Sequence, residues 1–287
     1  MRRKTVSLSA HEFVKFKLLG GGWMNSAVRI GALISGGGTN LQAIIDACES
    51  GAIDGKMIFV GSDNPSAGGL DRARHHGIAH FVVDYRDILR RFRNLPSESR
   101  LPEDFSLHDC QHKQHIFPEG ASVHLVTDFL KSRAMAESEM LMQMAGYEFD
   151  LLVLAGFMRN LTPYFIDRVN ISSGQSRIMN IHPAILPAFP GTDGYGDTFR
   201  HGCKVGGCTV HFVDYGEDSG PIIGQRTFPI LPGDTLDCIK KKGLEQEWIL
   251  YPECVQLFAK KKLHLVRKEF SLPDGGIVCR TIVEIDP

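Results

Sequence analysis

The sequence predicts an α/β protein with an open, mostly parallel twisted sheet and helices on both faces. Two observations carry this reading. Short apolar runs at 28–34, 57–60, 79–83 and 150–155 alternate with segments whose apolar residues recur at helical spacing, the rhythm of successive βαβ units. A glycine-rich turn, Ser35-Gly36-Gly37-Gly38-Thr39-Asn40, follows the first run directly and leads into Leu41, Ile44 and Ile45 at helical spacing.

At 287 residues and 43% hydrophobic content, the chain can bury one sizeable core or two small ones. Its 32 basic and 33 acidic residues nearly cancel, so no positive excess points to a nucleic-acid partner. The 7 cysteines are odd in number and scattered, without a Cys-x-x-Cys pair, which argues against a disulfide framework or zinc ribbon and fits a reducing cytoplasm. No apolar run approaches the length of a membrane span, so a soluble, cytoplasmic protein with no membrane partner is expected.

Residues 1–23 carry Arg2, Arg3, Lys4, Lys15 and Lys17 without a continuous apolar segment, unlike a secretory signal. They read as an extension without a fold, with translation starting at Met24. Residues 24–287 read as one domain.

The run 28–34 reads as a buried parallel strand. The turn after it opens a helix, and a helix start presents unpaired amides and the positive end of its dipole, which suits a phosphate. Leu41 stands where a dinucleotide fingerprint has its last glycine and no Gly-Lys-Ser/Thr follows, so a single phosphate ester remains, alongside a tight turn with no ligand. Strands at 57–60 and 79–83 flank a helix at 67–75. From about 85 to 120 the chain loses sustained apolar periodicity and is too long for an ordinary connection, so it reads as a surface insertion. Within it His108, Cys110, His112 and His115 cluster, but without a second ligand set a solvated polar loop is favoured over a metal site. Arg86, Arg90, Arg91 and Arg93 read as the face of a solvated amphipathic helix in preference to an anion patch.

A helix is predicted over 126–144, with Arg133 on its solvent side by pattern alone. The strand 150–155 ends in Gly156-Phe157-Met158-Arg159-Asn160-Leu161, backbone placed at the carboxyl edge of the sheet where open α/β proteins bind ligands. The strand 177–181 delivers Asn180-Ile181-His182-Pro183. Asn180 and His182 are two apart and share one side of an extended backbone, while Ile181 points to the core. Pro183 disfavours helix at His182, and Pro187 and Pro190 stiffen the loop beyond. That stretch is either a presented amide–imidazole pair or a proline-rich connection capped by a histidine. Strands at 208–213 and 221–223 flank the acidic loop Asp214 to Gly220, in which Glu217 and Asp218 are turn residues or site carboxylates. Asp234 reads as the cap of a helix to about Lys261, with Leu236, Ile239, Leu244, Trp248, Leu250 and Val255 as core positions. Runs at 263–266 and 277–283 read as terminal strands.

In this order, Ile34-Ser35-Gly36-Gly37-Gly38-Thr39-Asn40-Leu41-Gln42-Ala43, Leu154-Ala155-Gly156-Phe157-Met158-Arg159, the Asn180-to-Gly191 stretch, Val210-His211-Phe212-Val213-Asp214 and Asp218-Ser219-Gly220-Pro221-Ile222-Ile223 resemble the folate-dependent phosphoribosylglycinamide formyltransferases of purine synthesis. The resemblance runs from about Val28 to Val266, apart from the insertion. It implies a Rossmann-like formyltransferase fold and transfer of a formyl group from the co-substrate 10-formyltetrahydrofolate to the amine of glycinamide ribonucleotide, with no metal. It further implies Gly38, Thr39 and Asn40 at the phosphate and Glu247 near the sugar. Arg133, Met158, Arg159, Asn160, Leu161 and Asn180 would line the folate site, and Asn180, His182 and Asp218 would carry the chemistry. The partners implied are small molecules, and the chain is expected as a monomer or homodimer. Three departures stand out: Asn160 where an apolar residue is usual, a looser Gly194-Tyr195-Gly196, and the insertion ahead of Arg133.

The alternatives are a 10-formyltetrahydrofolate hydrolase, a methionyl-tRNA formyltransferase and a noncatalytic nucleotide-binding module. Hydrolases usually carry a regulatory domain ahead of the catalytic part, and the tRNA enzyme needs a further basic domain. A module that merely binds has no need of the Asn180, His182 and Asp218 set.

Overall fold

A computed structural model describes residues 27–94, 101–170 and 175–287. The extension at 1–23 and the start at Met24 lie outside the described residues. The apolar runs form β1 (Val28–Ile34), β2 (Gly55–Ser62), β3 (Ala79–Val82), β4 (Leu151–Leu154) and β5 (Ile178–His182), all parallel neighbours, and β6 (Val205–Phe212) and β7 (Ile222–Pro229) join antiparallel. The order across the seven-stranded sheet is β3-β2-β1-β4-β5-β6-β7. Chain direction puts the ends of β1, β4 and β5 together at the carboxyl edge, where ligands of open α/β sheets lie.

Both faces are covered, as the near-continuous apolar strands require. Ile30, Ala32 and Ile34 of β1 pack on one face with α1 (Thr39–Glu49), α2 (Gly69–His75) and α8 (Leu236–Ala259). Leu33 and the β4 residues Leu152 and Leu154 pack on the other with α3 (Tyr85–Asn94), α5 (Val123–Met144) and α6 (Pro163–Val169). Gly31 is required in β1, because a Cβ there would fall 2.2 Å from the Phe59 ring. Tyr251 ties α8 to the sheet by donating to the Met179 carbonyl at 2.8 Å. β8 (Leu263–Ser271) and β9 (Ile277–Ile285) form a separate antiparallel hairpin, whose Leu265 and Val283 close over the first core.

Several expectations need correction. Thr235, not Asp234, caps α8 by accepting from the Cys238 amide; the Asp234 carboxylate faces back, accepting from the Leu231 amide at 2.7 Å and from Lys242 at 2.6 Å. Trp248 is 40% exposed, because buried Glu247 takes the inward position and the next residue lies about 100° round the helix. Gly194, Tyr195 and Gly196 are not loose; they are buried in the first turn of α7 (Gly194–Arg200). The 85–120 segment holds α3 and α4 (Leu107–Lys113), and Cys110, Phe105, Leu107 and Phe117 build a third core cluster with Val126, Leu130, Ala134 and Tyr164. Its apolar residues are divided between short pieces, so no single period marks them. Cys110 turns into that cluster while the His108 and His112 rings pack against each other at 4.1 Å. Among the described residues no group of three or more His, Cys, Asp or Glu side chains is arranged to hold a metal, and no helix is long and apolar enough to cross a membrane.

Candidate active site

A cleft of about 400 Å³ opens at the carboxyl edge. Its floor is the end of β5, where Asn180 and His182 face the same side and Ile181 turns to the core. His182 is 3% exposed, and both its ring nitrogens meet acceptors: Nε2 lies 2.8 Å from the Phe189 carbonyl and Nδ1 3.1 Å from Asp218 Oδ2. Only the imidazolium has two N–H donors, so this arrangement is satisfied by the cation. Burial pulls the His182 pKa down, but the hydrogen bond and charge of Asp218 outweigh it and the net shift is upward from 6.5. Burial likewise pushes the Asp218 carboxyl up, and the hydrogen bonds from His182 and its neighbours overcome this, holding it well below the usual carboxylate range.

Asp218 also accepts from the Gly191 amide at 2.9 Å, which ties the proline-stiffened loop to the acidic loop. Its φ is 50°, left-handed for a residue with a side chain. Asn180 Nδ2 lies 3.2 Å from His211 Nε2, while His211 Nδ1 lies 2.8 Å from the Phe212 carbonyl. His211 Nε2 thus sits between the Asn180 amide and Asp218 Oδ1, which is 3.6 Å away, and links the two. The sequence places His211 in a strand and in a motif that carries the resemblance, but assigns it no role in the site. Its contact with Asn180 follows from the antiparallel register that pairs Asn180 with His211.

Gly38 is the N-cap of α1 with φ 72°, and no side chain caps the helix there. The first-turn amides therefore face the turn, as an anion site needs. A Cβ at Gly38 would fall 2.7 Å from Gly69 Cα, so the turn packs directly under α2. Arg72, which sequence reasoning passed over, brings its guanidinium to this turn by donating to the Gly37 carbonyl at 2.8 Å. Asn40 donates from Nδ2 to Glu247 Oε2 at 2.6 Å, and Tyr195 donates to Glu247 Oε1 at 2.5 Å. Asn40 Oδ1 is buried without a hydrogen-bond partner, an acceptor left for a donor in the cleft.

Of the predicted site residues, Asn40, Met158, Arg159, Asn160, Leu161, Asn180, His182, Asp218 and Glu247 line the cleft, whereas Gly38, Thr39 and Arg133 do not. The 156–161 segment is anchored to the glycine turn by Ser35 N–H to the Gly156 carbonyl at 3.0 Å and Met158 N–H to Ser35 Oγ at 2.8 Å. Arg159 is paired with buried Asp63 at 2.5 Å, and Asn160 reaches across the opening to Glu217 at 3.0 Å. Arg133 is not on the solvent side: its guanidinium lies over the Tyr85 and Phe129 rings at 5.7 and 5.1 Å, and burial pulls its pKa down. Its Nε and Nη1 are buried without hydrogen-bond partners.

An amide donor, an imidazolium and a carboxylate around one cleft can polarise a carbonyl and stabilise the oxyanion formed when a nucleophile adds to it. Fold and site together define an α/β acyl-group-transferring enzyme. The chain belongs to the formyl transferase family, whose model matches residues 28–255. It is 32% identical over 238 residues to the phosphoribosylglycinamide formyltransferase of Escherichia coli (strain K12), covering 83% of this chain and 90% of that protein. It is 31% identical to a part of the trifunctional purine biosynthetic protein adenosine-3 of Drosophila melanogaster, covering 80% of this chain and 14% of that one. Its fold matches the crystal structure of glycinamide ribonucleotide transformylase 1 from Symbiobacterium toebii with a TM-score of 0.65 and 33% identity, over 91% of this chain and 95% of that one.

Proposed function

We propose that this protein transfers the formyl group of 10-formyltetrahydrofolate to the amine of N1-(5-phospho-D-ribosyl)glycinamide, a step of de novo purine (IMP) biosynthesis. The observation that carries the reading is His182 with both ring nitrogens on acceptors, Asp218 and the Phe189 carbonyl, beside the amide of Asn180. It is supported by the relatives of that name over most of the chain.

In this reading the amine nitrogen adds to the formyl carbon and the carbonyl electrons move onto oxygen. Asn180 donates a hydrogen from Nδ2 to that oxygen, and His182 Nε2–H exchanges the Phe189 carbonyl for the same oxyanion. Collapse breaks the bond from the formyl carbon to N10 of the folate; the amine gives up one proton and N10 gains one. Asp218 keeps His182 charged and aligned throughout. The turn at Gly38, Thr39 and Asn40 takes the phosphate, with Arg72 adding positive charge, and Glu247 takes sugar hydroxyls by exchanging its bonds from Asn40 and Tyr195. Met158, Arg159, Asn160 and Leu161 line the folate side. Arg133 joins it only by leaving the Tyr85 and Phe129 rings.

Residues 24–287 act as one catalytic domain, as a monomer or homodimer with small-molecule partners. The described cysteines are all free, which supports a cytoplasmic location. The test is tetrahydrofolate release by purified protein from 10-formyltetrahydrofolate, with and without the ribonucleotide. Release that requires the ribonucleotide is expected. Equal release without it identifies a hydrolase, and none in either case overturns catalysis.

A further inference from the structure

The acidic loop that carries Asp218 is fastened from its outer side by the segment that interrupts the α/β pattern. The His115 N–H donates to the Tyr215 carbonyl at 2.8 Å, forming an isolated parallel bridge between His115 and Gly216. Tyr215 Oη donates to Asp167 Oδ1 at 2.5 Å, and Lys113 Nζ donates to Asp167 Oδ2 at 2.8 Å while pairing with Asp109 at 3.0 Å. Asp167 belongs to α6, which is itself held to the same segment: Asp104 accepts from Tyr164 Oη at 3.1 Å and from Arg168 Nη2 at 2.6 Å. Phe105, Leu107 and Cys110 bury their apolar surface against that assembly, so the fastening point is part of a packed cluster.

Loop and clamp meet three residues before Asp218. Asp218 has φ 50°, a left-handed backbone conformation that persists in a residue with a side chain where the surroundings over-determine it. Inside the loop, Asp214 Oδ1 accepts from the Gly216 amide at 3.1 Å and Ser219 Oγ at 2.7 Å. The outer side is held by the chain from Lys113 through Asp167 to Tyr215. We propose that Lys113 and Tyr215 are positioning residues, which with the His115 backbone bridge hold the 213–220 loop so that the Asp218 carboxylate stays on His182. Neither side chain touches the reacting atoms; they act through Asp218.

The proposal rests on the formyl-transfer reading only for its kinetic readout. The full-length chain is compared with Tyr215→Phe, which removes one oxygen, and Lys113→Met, which removes a surface charge, so either variant decides the matter if the other does not fold. Expected are a kcat lower by about tenfold with KM for the ribonucleotide nearly unchanged, and a His182 pKa, followed by NMR of its ring protons, displaced downward. Lys113→Arg should restore both. A His182 titration unchanged in a folded variant overturns the proposal, whether or not the rate falls. If the wild-type protein transfers no formyl group, the His182 titration still decides the clamp, and only the functional reading is lost.

Discussion

His182 Nδ1 stands 3.1 Å from Asp218 Oδ2, and both side chains are shielded from water at the floor of the cleft. Their shifts oppose one another: His182 is raised from 6.5 and Asp218 lowered from 3.8. The histidine's share of the stabilisation is full below 6.5 and is lost as pH rises through its raised value; the aspartate's is full above 3.8 and is lost as pH falls through its lowered one. Both shares are therefore full between pH 3.8 and 6.5.

Asp218→Asn removes the charge that raises His182. The alkaline limb of the pH–rate profile should move to lower pH, and kcat near neutrality should fall by about 10² to 10³. An alkaline limb that stays where it was in the wild type would show that His182 does not depend on Asp218 for its proton.

Gly38→Ala introduces a Cβ at φ 72° that would meet the Gly69 backbone at 2.7 Å. Strain and collision act together, so a loss of about 1–3 kcal/mol in stability is expected, with KM for the ribonucleotide raised about tenfold or more. Denaturant unfolding measures the first and steady-state kinetics the second. A variant as stable as the wild type with unchanged KM would mean that the turn neither packs under α2 as described nor holds the phosphate.

The strands and the Asn180–His182 pair were legible because both depend on local periodicity: apolar runs mark buried parallel strands, and a spacing of two puts side chains on one side. What was not legible depends on distant partners. His211 meets Asn180 only because β6 runs antiparallel to β5 in one particular register. Arg133 reads as exposed on its helix pattern, yet Tyr85, far earlier in the chain, supplies a ring for it to lie on. The 85–120 segment looks featureless because its apolar residues are divided between two cores: Tyr85 and Ile88 join one, and Phe105, Leu107, Cys110 and Phe117 join another with Val126, Leu130 and Tyr164. Gly38, Thr39 and Asn40 form one motif in the sequence, but the fold sends only Asn40 into the cleft lining, since α1 turns its side chain toward Glu247.

Asn160→Leu breaks the bond to Glu217 across the opening of the cleft. That bond is exposed, so it contributes under about 1 kcal/mol to stability, while the added apolar surface favours a flat ring on the side of the cleft proposed for the folate. KM for 10-formyltetrahydrofolate should fall by roughly three- to tenfold with kcat unaltered. A raised KM would instead make the Asn160–Glu217 bridge part of folate recognition.

Glu137 is fully buried on α5 and accepts from Thr162 twice, from its amide at 2.8 Å and its hydroxyl at 2.5 Å, satisfying the start of α6. Burial, only partly offset by those bonds, raises its pKa from 4.5 to about 7. A carboxyl raised on folding binds protons more readily in the native state, so its contribution is fullest below 4.5 and fades as pH rises through about 7. Glu137→Gln keeps an acceptor for the Thr162 amide but cannot ionise. It should flatten the fall in unfolding free energy between acid and neutral pH, measured by urea titration at several pH values. Glu137→Ala leaves both Thr162 donors unpaired and opens a void, and should cost about 2–4 kcal/mol. Because α6 also carries Asp167, the same variant should loosen the Tyr215 side of the acidic loop and lower kcat. An Ala variant as stable as the wild type, with the same pH dependence, would contradict both the capping role and the raised pKa.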